Sequence, residues 1–511
     1  MSKLSFKLDM DQDFAEFDPA LKRDMKMSTL EGAFTTLMGT LIGGAFLTGF
    51  AISLGADSFI IGILASLPLL ANTVQIFGSY LIDRMGDTRE VCIRYVLLHR
   101  IFWLLIIFSP FLLLRLELTD LRIWTFVVLL AVASLCASIS SVSWTSWMAD
   151  LIPQKIRGRF FASRNMISQM IGMLTAILAG FFVDYWQGLS ENTQSQSYGF
   201  IYLFAIGTIF GFISIFLLKK TSKSNKVIRT DGGFLKKLKL PFKYVSYKHL
   251  IVFTACWGFA VSLVSPFFSV YMIKTLEIPF TLITLFGVVS GITGIIGMRL
   301  WGRFIDKYGP KPLLYLCSIG ASIIPTLWIF ASPDNYTIIW FINIISGFFW
   351  AGIGLASSNM MMNLAPSEDN AVFFAVFAAI TGITAALAPI FGGYLGTLYN
   401  NIEIFSITGL KLLFITSSIL RLSTILLLRR IRIINNATIK EVFAKFNSWY
   451  RFLPIYNMSR FSVFNLNYRG NITFLVTRGM INIELMLEEL MKKKKKILWF
   501  KDDLDRSEND E

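Results

Sequence analysis

The chain has 511 residues, of which 54% are hydrophobic and only 16% are charged, and its formal net charge is +15. Its mean hydropathy is +0.60, and soluble domains carry about a quarter charged residues, so this composition excludes a water-soluble globular protein. Because the basic residues lie in short loops between apolar stretches, the positive charge does not indicate nucleic-acid binding either.

The beginning of the chain is polar, and six apolar stretches follow it. Residues 1–29 mix acids and bases without the pattern of a signal peptide, so we predict a cytoplasmic N-terminal leader there. Each apolar stretch is long enough to cross about 30 Å of hydrocarbon, which predicts an N-terminal six-helix half over residues 30–218. The stretches cover residues 30–53, 58–82, 95–115, 120–148, 160–187 and 198–218.

A basic segment divides the chain. Residues 219–248 hold ten Lys or Arg residues against the single acid Asp231, and we interpret them as a cytoplasmic linker. Six further apolar stretches predict a C-terminal six-helix half over residues 249–428. They cover residues 249–275, 279–305, 313–332, 336–363, 371–399 and 404–428.

The last segment, residues 429–511, is a basic cytoplasmic tail with a lysine run at 492–496 and an acidic end. No part of it is long and apolar enough to span a membrane. The basic residues favour either contact with the anionic inner leaflet or binding of a partner protein. The competing interpretation is a partly disordered, solvated tail, and this is the one that we expect.

Loop charges predict the orientation. The loops after the second, fourth, sixth and eighth stretches hold clusters of Lys and Arg, whereas residues 55–57, 188–197 and 332–335 hold none. Short basic loops stay on the cytoplasmic side of a membrane. We therefore predict a multi-pass protein of the inner (plasma) membrane with both termini in the cytoplasm.

The chain offers little material for catalytic or metal chemistry. Its four cysteines lack CxxC spacing, only two histidines occur, and no phosphate-binding P-loop motif is present. We therefore expect no enzyme activity, no catalytic residues, no cofactor and no metal site.

The two halves look like copies of one unit. The sequence Asp-Arg-Met-Gly at 83–86 returns as Asp-Lys-Tyr-Gly at 306–309. A second set recurs at one constant offset, which chance rarely produces: Pro153, Phe160, Phe161 and Gly180 return as Pro366, Phe373, Phe374 and Gly393. These echoes predict an all-α membrane protein with twelve transmembrane helices in two six-helix pseudo-repeats.

The paired loops resemble those of the major facilitator superfamily, in which the loop between helices 2 and 3 reads G-x-L-a-D-R-x-G-R-K and recurs between helices 8 and 9. Residues 302–311, GRFIDKYGPK, fit the pattern well. The first copy, residues 79–87, has Ser79 in place of the glycine and Asp87 in place of a basic residue. The resemblance covers residues 30–428 and implies the twelve-helix fold of that family, with transport by alternating access.

The resemblance also implies a role for the charged loops. A carboxylate that pairs with arginines, or with the positive end of a neighbouring helix, forms a contact that can break and re-form. Such contacts would act as conformational latches. The alternative is that these charges serve only to orient the protein. The candidate latch residues are Asp83, Arg84, Gly86, Arg157, Arg159, Gly302, Asp306, Lys307 and Gly309.

In this family the substrate lies near the middle of the bilayer between the halves, mainly against helices 1, 4, 7 and 10. We therefore expect substrate-binding residues among the polar and aromatic side chains in the middle of those spans and their neighbours. For each residue taken singly, ordinary helix packing is the competing interpretation. The candidates are Thr40, Asn72, Gln75, Ser138, Ser141, Gln169, Trp257, Ser262, Asn343, Ser346 and Trp350.

Charged residues are scarce in the expected cavity, which favours a neutral or amphipathic solute. Glu31 is predicted at the mouth of the first span, and Arg100 and Arg421 are predicted to extend toward helix ends. We expect a monomeric secondary or facilitative transporter in the lipid bilayer, with a small-molecule substrate, with or without a coupling ion, and without nucleic acid. The alternatives are a sensor or anchor that signals through the tail, and an exporter of lipids or amphiphiles.

Overall fold

The computed structural model describes residues 18–73, 87–116, 121–189, 193–223, 238–366, 370–404 and 407–431. All of them belong to one compact unit, within Met1–Ala444. Residues 445–511 and the tail prediction from residue 432 onward lie outside the described residues.

The described part of the first half consists of seven helices. α1 and α2 together make the first span, and the remaining helices make one span each. Their bounds are α1 Pro19–Leu41, α2 Gly44–Ser53, α3 Ser58–Thr73, α4 Thr88–Arg115, α5 Leu121–Leu151, α6 Gln154–Leu189 and α7 Thr193–Lys220.

The second half follows the same plan. A 3₁₀ turn, Leu240–Lys243, precedes it, and α8, α9 and a π-helical turn, Tyr271–Thr275, make the seventh span. The helices of the second half are α8 Val245–Ser262, α9 Ser265–Val270, α10 Phe280–Tyr308, α11 Pro310–Leu327, α12 Ile338–Leu364, α13 Asn370–Tyr399 and α14 Leu410–Ile425. Two-residue strands, β1 Glu403–Ile404 and β2 Ile407–Thr408, pair antiparallel between α13 and α14.

Among the described residues, eleven helices are long and apolar enough to cross a membrane, and Ser58–Thr73 is a shorter apolar helix. The predicted continuation of that second span, through residue 82, lies outside the described residues. This architecture confirms the prediction of an all-α membrane protein built from two groups of spans.

The first helix begins at Pro19, well before the predicted start of the first span near residue 30. The Asp18 carboxylate accepts a hydrogen bond from Ala20 N, and Pro19 occupies the first turn, both of which favour helix initiation. The early turns are held by packing, because Met25 is buried and Asp24 Oδ1 accepts from Ser222 N at 3.1 Å. Residues 19–29 of the predicted leader are therefore helical.

The residues that recur in sequence occupy equivalent places in the two halves. Phe160 of α6 packs against Met25 of α1, and Phe373 of α13 packs against Tyr247 of α8, the first helix of the second half. Helix α6 crosses α10, and α13 crosses α3, at the glycines that the repeat matches. The constant offset in sequence therefore reflects the same packing in each half.

The ends of the helices define two sides of the bundle. Pro19, Lys220 and Val245 lie at helix ends on one side, next to the central linker, and we call this the linker side. The opposite side, which holds the connections α2–α3 and α13–α14, is called the far side. The sidedness matters for the site, because the described contacts between the halves concentrate on the far side.

Candidate functional site

A cavity of about 1190 Å³ lies between the two halves. Its wall contains residues of the first and fifth spans from one half and of the seventh to tenth and twelfth spans from the other. The wall extends along α6 to Ala162 and Asn165, toward the linker side. We call this the central cavity.

Two broken spans border the central cavity at corresponding positions of the halves. The first span is interrupted between α1 and α2, where Gly44 has φ +56°, a conformation that favours glycine. The seventh is interrupted between α8 and α9, where Pro266 occupies the first turn of α9. Gly44 and Ser265 both contribute to the cavity wall. Paired discontinuous helices of this kind mark substrate sites in transporters.

The sequence contained a signal for these breaks that our interpretation missed. Gly43–Gly44 and Ser265–Pro266 interrupt otherwise apolar stretches at corresponding places in the two halves. A pair of spans interrupted by Gly or Pro indicates a binding site, whereas our prediction rested on polar and aromatic side chains.

The structure brings some of the predicted substrate residues together and separates others. The predicted residues in the central-cavity wall are Thr40, Gln169, Asn343, Ser346 and Trp350. Ser262 lines a second cavity, described below. Ser138 and Trp257 are buried in helix packing outside the central-cavity wall, and the Trp257 ring centroid lies 6.4 Å from that of Trp350. Asn72 and Ser141 are exposed outside the wall, and Gln75 lies outside the described residues.

A smaller cavity of about 480 Å³ adjoins the central one. We call it the side cavity. Gly44, Ser265 and Ser269 belong to the walls of both cavities, so the two meet at the helix breaks. The rest of its wall is largely apolar and includes Leu47, Ile61, Leu64, Leu69 and Pro389. Such a space suits a hydrocarbon group better than a polar one.

Two arginines predicted to reach helix ends are instead buried, so that prediction was wrong. Arg421 is 2% exposed and Arg100 is 6% exposed. Arg421 Nη1 donates to the Ala321 carbonyl at 3.0 Å, and Arg100 Nη2 reaches Ser214 Oγ at 3.4 Å. These partners lie on neighbouring helices within the bundle, which keeps both side chains inside it. Arg421 also belongs to the central-cavity wall.

A buried ion pair joins the first and fifth spans. Glu31 is 5% exposed, and its Oε2 lies 3.0 Å from Arg164 Nη2. Arg164 Nε donates to the Ser28 carbonyl at 3.1 Å, and its guanidinium lies 4.4 Å from the centroid of the Trp144 ring. Thr35 Oγ1 donates to Glu31 Oε1 at 2.7 Å. Sequence reasoning noticed Glu31 but missed Arg164.

Part of the predicted latch lies outside the described residues, namely Asp83, Arg84 and Gly86. Arg157 donates from Nη2 to the Ile152 carbonyl at 3.2 Å and also to the Ala149 carbonyl, so it caps the end of α5. Arg159 is exposed. The role of this loop as a latch stays a prediction.

The second latch loop is described. Asp306 is exposed, and no described residue forms an ion pair with it. Lys307 Nζ lies 5.1 Å from the centroid of the Tyr308 ring. Gly309 has φ +84° and ends α10, which explains the glycine at this turn, whereas Gly302 faces open space. The latch role of Asp306 likewise stays a prediction.

On the far side the halves make direct contacts. Asp184 of α6 accepts from Phe280 N at 2.7 Å and from Thr281 N at 2.8 Å, and thereby caps the first turn of α10. Lys274 Nζ donates to the Ala56 carbonyl at 3.0 Å. These bonds join the first half to the second, so the structure represents a conformation closed on the far side.

Replacing Asp184 with Asn is expected to favour opening of the far side by about 1–3 kcal/mol, because charge-assisted bonds that exist only in the closed state are weakened. A membrane-impermeant maleimide applied from the far side should label a cysteine at Ser269 faster in this variant. Asp57→Asn is the matched control, because Asp57 Oδ1 caps Ile60 N within one half at 2.8 Å. Equal labelling in the two variants would contradict a gating role for Asp184.

Comparison with known proteins gives consistent results. A sequence model of the Major Facilitator Superfamily matches residues 32–389 and 250–480. The chain is 22% identical over 355 residues, 68% of its own length and 79% of the relative's, to the "Proton-coupled antiporter flippase LtaA" of Staphylococcus saprophyticus.

Solved structures with a similar fold include the nucleoside transporter NupG and the inward-open xylose transporter XylE from E. coli. The first has a TM-score of 0.61 and 12% identity, over 81% of this chain and 99% of that one. The second has a TM-score of 0.57 and 15% identity, over 83% of this chain and 99% of that one. At these identities the likeness shows the fold alone.

Proposed function

The chain belongs to the major facilitator superfamily, and from this premise we propose that it is a secondary or facilitative transporter that moves a small amphipathic or neutral solute by alternating access. The observation that carries this proposal is the central cavity, which lies between the halves beside two helix breaks and behind a closed far side. Rocking of one half against the other would expose the same cavity to each side in turn.

The shape of the site favours an amphipathic solute. The central cavity has polar groups in its wall, including Gln169, Asn343 and Ser346, and it meets the largely apolar side cavity at the helix breaks. A head group in the first space and a hydrocarbon group in the second would each find matching surroundings. The similarity to a relative described as a flippase is consistent with this proposal.

We propose that the protein lies in the inner membrane with its linker side facing the cytoplasm. The loop charges support this orientation. In this orientation the structure corresponds to the inward-facing state. Both termini would then be cytoplasmic, and the basic segment 219–248 would lie at the inner leaflet.

We also propose that a proton is the coupling ion and that Glu31 is its acceptor. Glu31 is a buried carboxylate whose partner, Arg164, lies on another span, so protonation would break a contact between two helices. Ionisable residues within membrane helices usually mark proton or ion paths. The relative described as proton-coupled supports this choice of ion.

Flux in proteoliposomes tests the proposed transport. Labelled lipids with acidic, zwitterionic and sugar head groups are placed in both leaflets, and the fraction that external dithionite bleaches is measured. The protein is expected to raise that fraction for at least one head group above the value of protein-free liposomes. Saturable binding without any added flux would support the sensor alternative and contradict the proposal.

A further inference from the structure

Arg421 is a buried charge in the middle of a membrane span. It lies between the ends of the span Leu410–Arg430, is 2% exposed and contributes to the wall of the central cavity. An uncompensated charge at this depth costs several kcal/mol and is usually functional. The position therefore needs a counter-charge.

No carboxylate pairs with this cation among the residues that the structure describes. The six predicted spans of the second half contain no Asp or Glu at all. In the first half, Glu31 is paired with Arg164, and Asp184 caps the first turn of α10. No ion pair to Arg421 occurs within the described part of the chain. A matching negative charge would have to enter through the cavity.

Within the described ranges, only one N–H donor of Arg421 has a structural role, which is to bond a backbone carbonyl of a neighbouring helix. Pro325 lies inside α11 and has no N–H, so the carbonyl four residues earlier, that of Ala321, loses its helical partner. Arg421 Nη1 donates to that carbonyl at 3.0 Å. A guanidinium carries five N–H donors, and Nε of Arg421 is buried without a hydrogen-bond partner among the described residues. The side chain thus has more hydrogen-bonding capacity than the fold uses.

The cavity wall that includes Arg421 also holds large apolar side chains. Ile324, Trp328 and Phe268 belong to the same cavity wall, and the Phe268 and Trp328 ring centroids are 4.9 Å apart. A guanidinium as buried as that of Arg421 binds an oxyanion strongly, because little water competes and the planar fork matches two oxygen atoms. The two rings of the same wall would contact the hydrocarbon part of the ligand.

We propose that Arg421 binds the acidic group of an amphipathic substrate, a phosphate or carboxylate joined to a hydrocarbon chain. This inference rests on the proposed transport function and narrows its substrate class from neutral or amphipathic solutes to acidic amphiphiles. The Arg421 site positions the head group in the central cavity, and the chain extends along the aromatic wall toward the side cavity.

The test separates the anion site from the structural bond to Ala321. The Pro325→Ala substitution supplies the N–H that the Ala321 carbonyl lacks, so the fold no longer needs Arg421 there. The double variant Pro325→Ala/Arg421→Gln is compared with Pro325→Ala alone. Both proteins are placed in phosphatidylcholine nanodiscs, and binding is measured by calorimetry with empty nanodiscs subtracted. The probes are decyl phosphate, decyl glucoside and inorganic phosphate.

Loss of Arg421 is expected to weaken decyl phosphate binding by about ten- to a hundredfold, the range for charge-assisted hydrogen bonds, and to leave decyl glucoside binding unchanged. Inorganic phosphate is expected to bind far more weakly than decyl phosphate. Lys411→Gln, which removes a charge near the end of the same helix, should change neither affinity. Arg421→Lys should recover part of the affinity, since it keeps the charge but loses the fork.

If removal of Arg421 lowered the affinities for decyl phosphate and decyl glucoside equally, or lowered neither, the proposal would be overturned. The proposal would also be overturned if inorganic phosphate bound as tightly as decyl phosphate and lost as much affinity without Arg421. That result would assign the site to a free anion. Because this experiment measures binding, its outcome is independent of flux. Absence of flux with intact Arg421-dependent binding would reject the transport function alone.

Discussion

The Glu31→Gln protein is expected to unfold more easily than the native protein, by up to about 3–5 kcal/mol, because it leaves the Arg164 cation, whose side chain is only 12% exposed, without its counter-charge. Arg164 keeps its bond to the Ser28 carbonyl and its contact with the Trp144 ring, but neither carries a full negative charge. The free energy of unfolding in detergent measures this effect. The same variant should lose proton-driven substrate accumulation while it retains exchange at equal pH.

A double-mutant cycle isolates the ion pair from other effects of substitution. Glu31→Gln/Arg164→Gln should be more stable than Glu31→Gln, because removal of the second charge also removes its desolvation penalty. Glu90→Gln is the matched control, since the Glu90–Arg94 pair is exposed on both sides and should contribute less than about 1 kcal/mol. Equal losses for Glu31→Gln and Glu90→Gln would show that burial does not strengthen the first pair.

The Gly393→Ala protein is expected to disfavour the far-side-closed conformation by about 1–3 kcal/mol, a shift of about five- to 150-fold in population. A Cβ at this position would lie 2.6 Å from the Ser58 carbonyl oxygen and 2.9 Å from Phe59 Cα. Both are backbone atoms of α3 in the other half, so the helices must separate. Distances between spin labels on α3 and α13 measure the separation directly.

Gly382→Ala is the control for this experiment, because Gly382 lies on the same helix and has no atom within 4 Å of its ideal Cβ. It should leave the spin-label distances unchanged and add a little helix stability. If the two alanine variants gave the same distance distribution, close packing of α3 against α13 would not control the far side. Flux should fall only in the first variant, since a gate that fails to close interrupts alternating access.

The positions of most spans could be predicted, whereas several of their ends could not. Hydropathy located the apolar segments correctly, but α1 begins at Pro19 because Asp18 caps it and Met25 packs on Ile152 and Ile156. Cap geometry and distant packing leave little trace in local composition. The latch loops were located by the internal repeat, their role was inferred from the resemblance, and that role remains a prediction.

The charged groups show most clearly which contacts could not be predicted from the sequence. Glu31 and Arg164 are 133 residues apart, so no local pattern connects them. Arg421 was predicted to extend toward a helix end, yet the carbonyl released by Pro325 holds it inside the bundle. A buried partner on another helix decides the direction of a long side chain.

The sequence by itself determined the number of spans, their division into two halves and the scarcity of charge between them. It could do so because hydrocarbon accepts only backbones that satisfy their own hydrogen bonds, so each span must be a long apolar helix. Only the tertiary structure decided which side chains face the cavity. These helices are apolar on every side, and contact with neighbouring helices sets their rotation, which turns Gln169 toward the central cavity and buries Ser138 within its half.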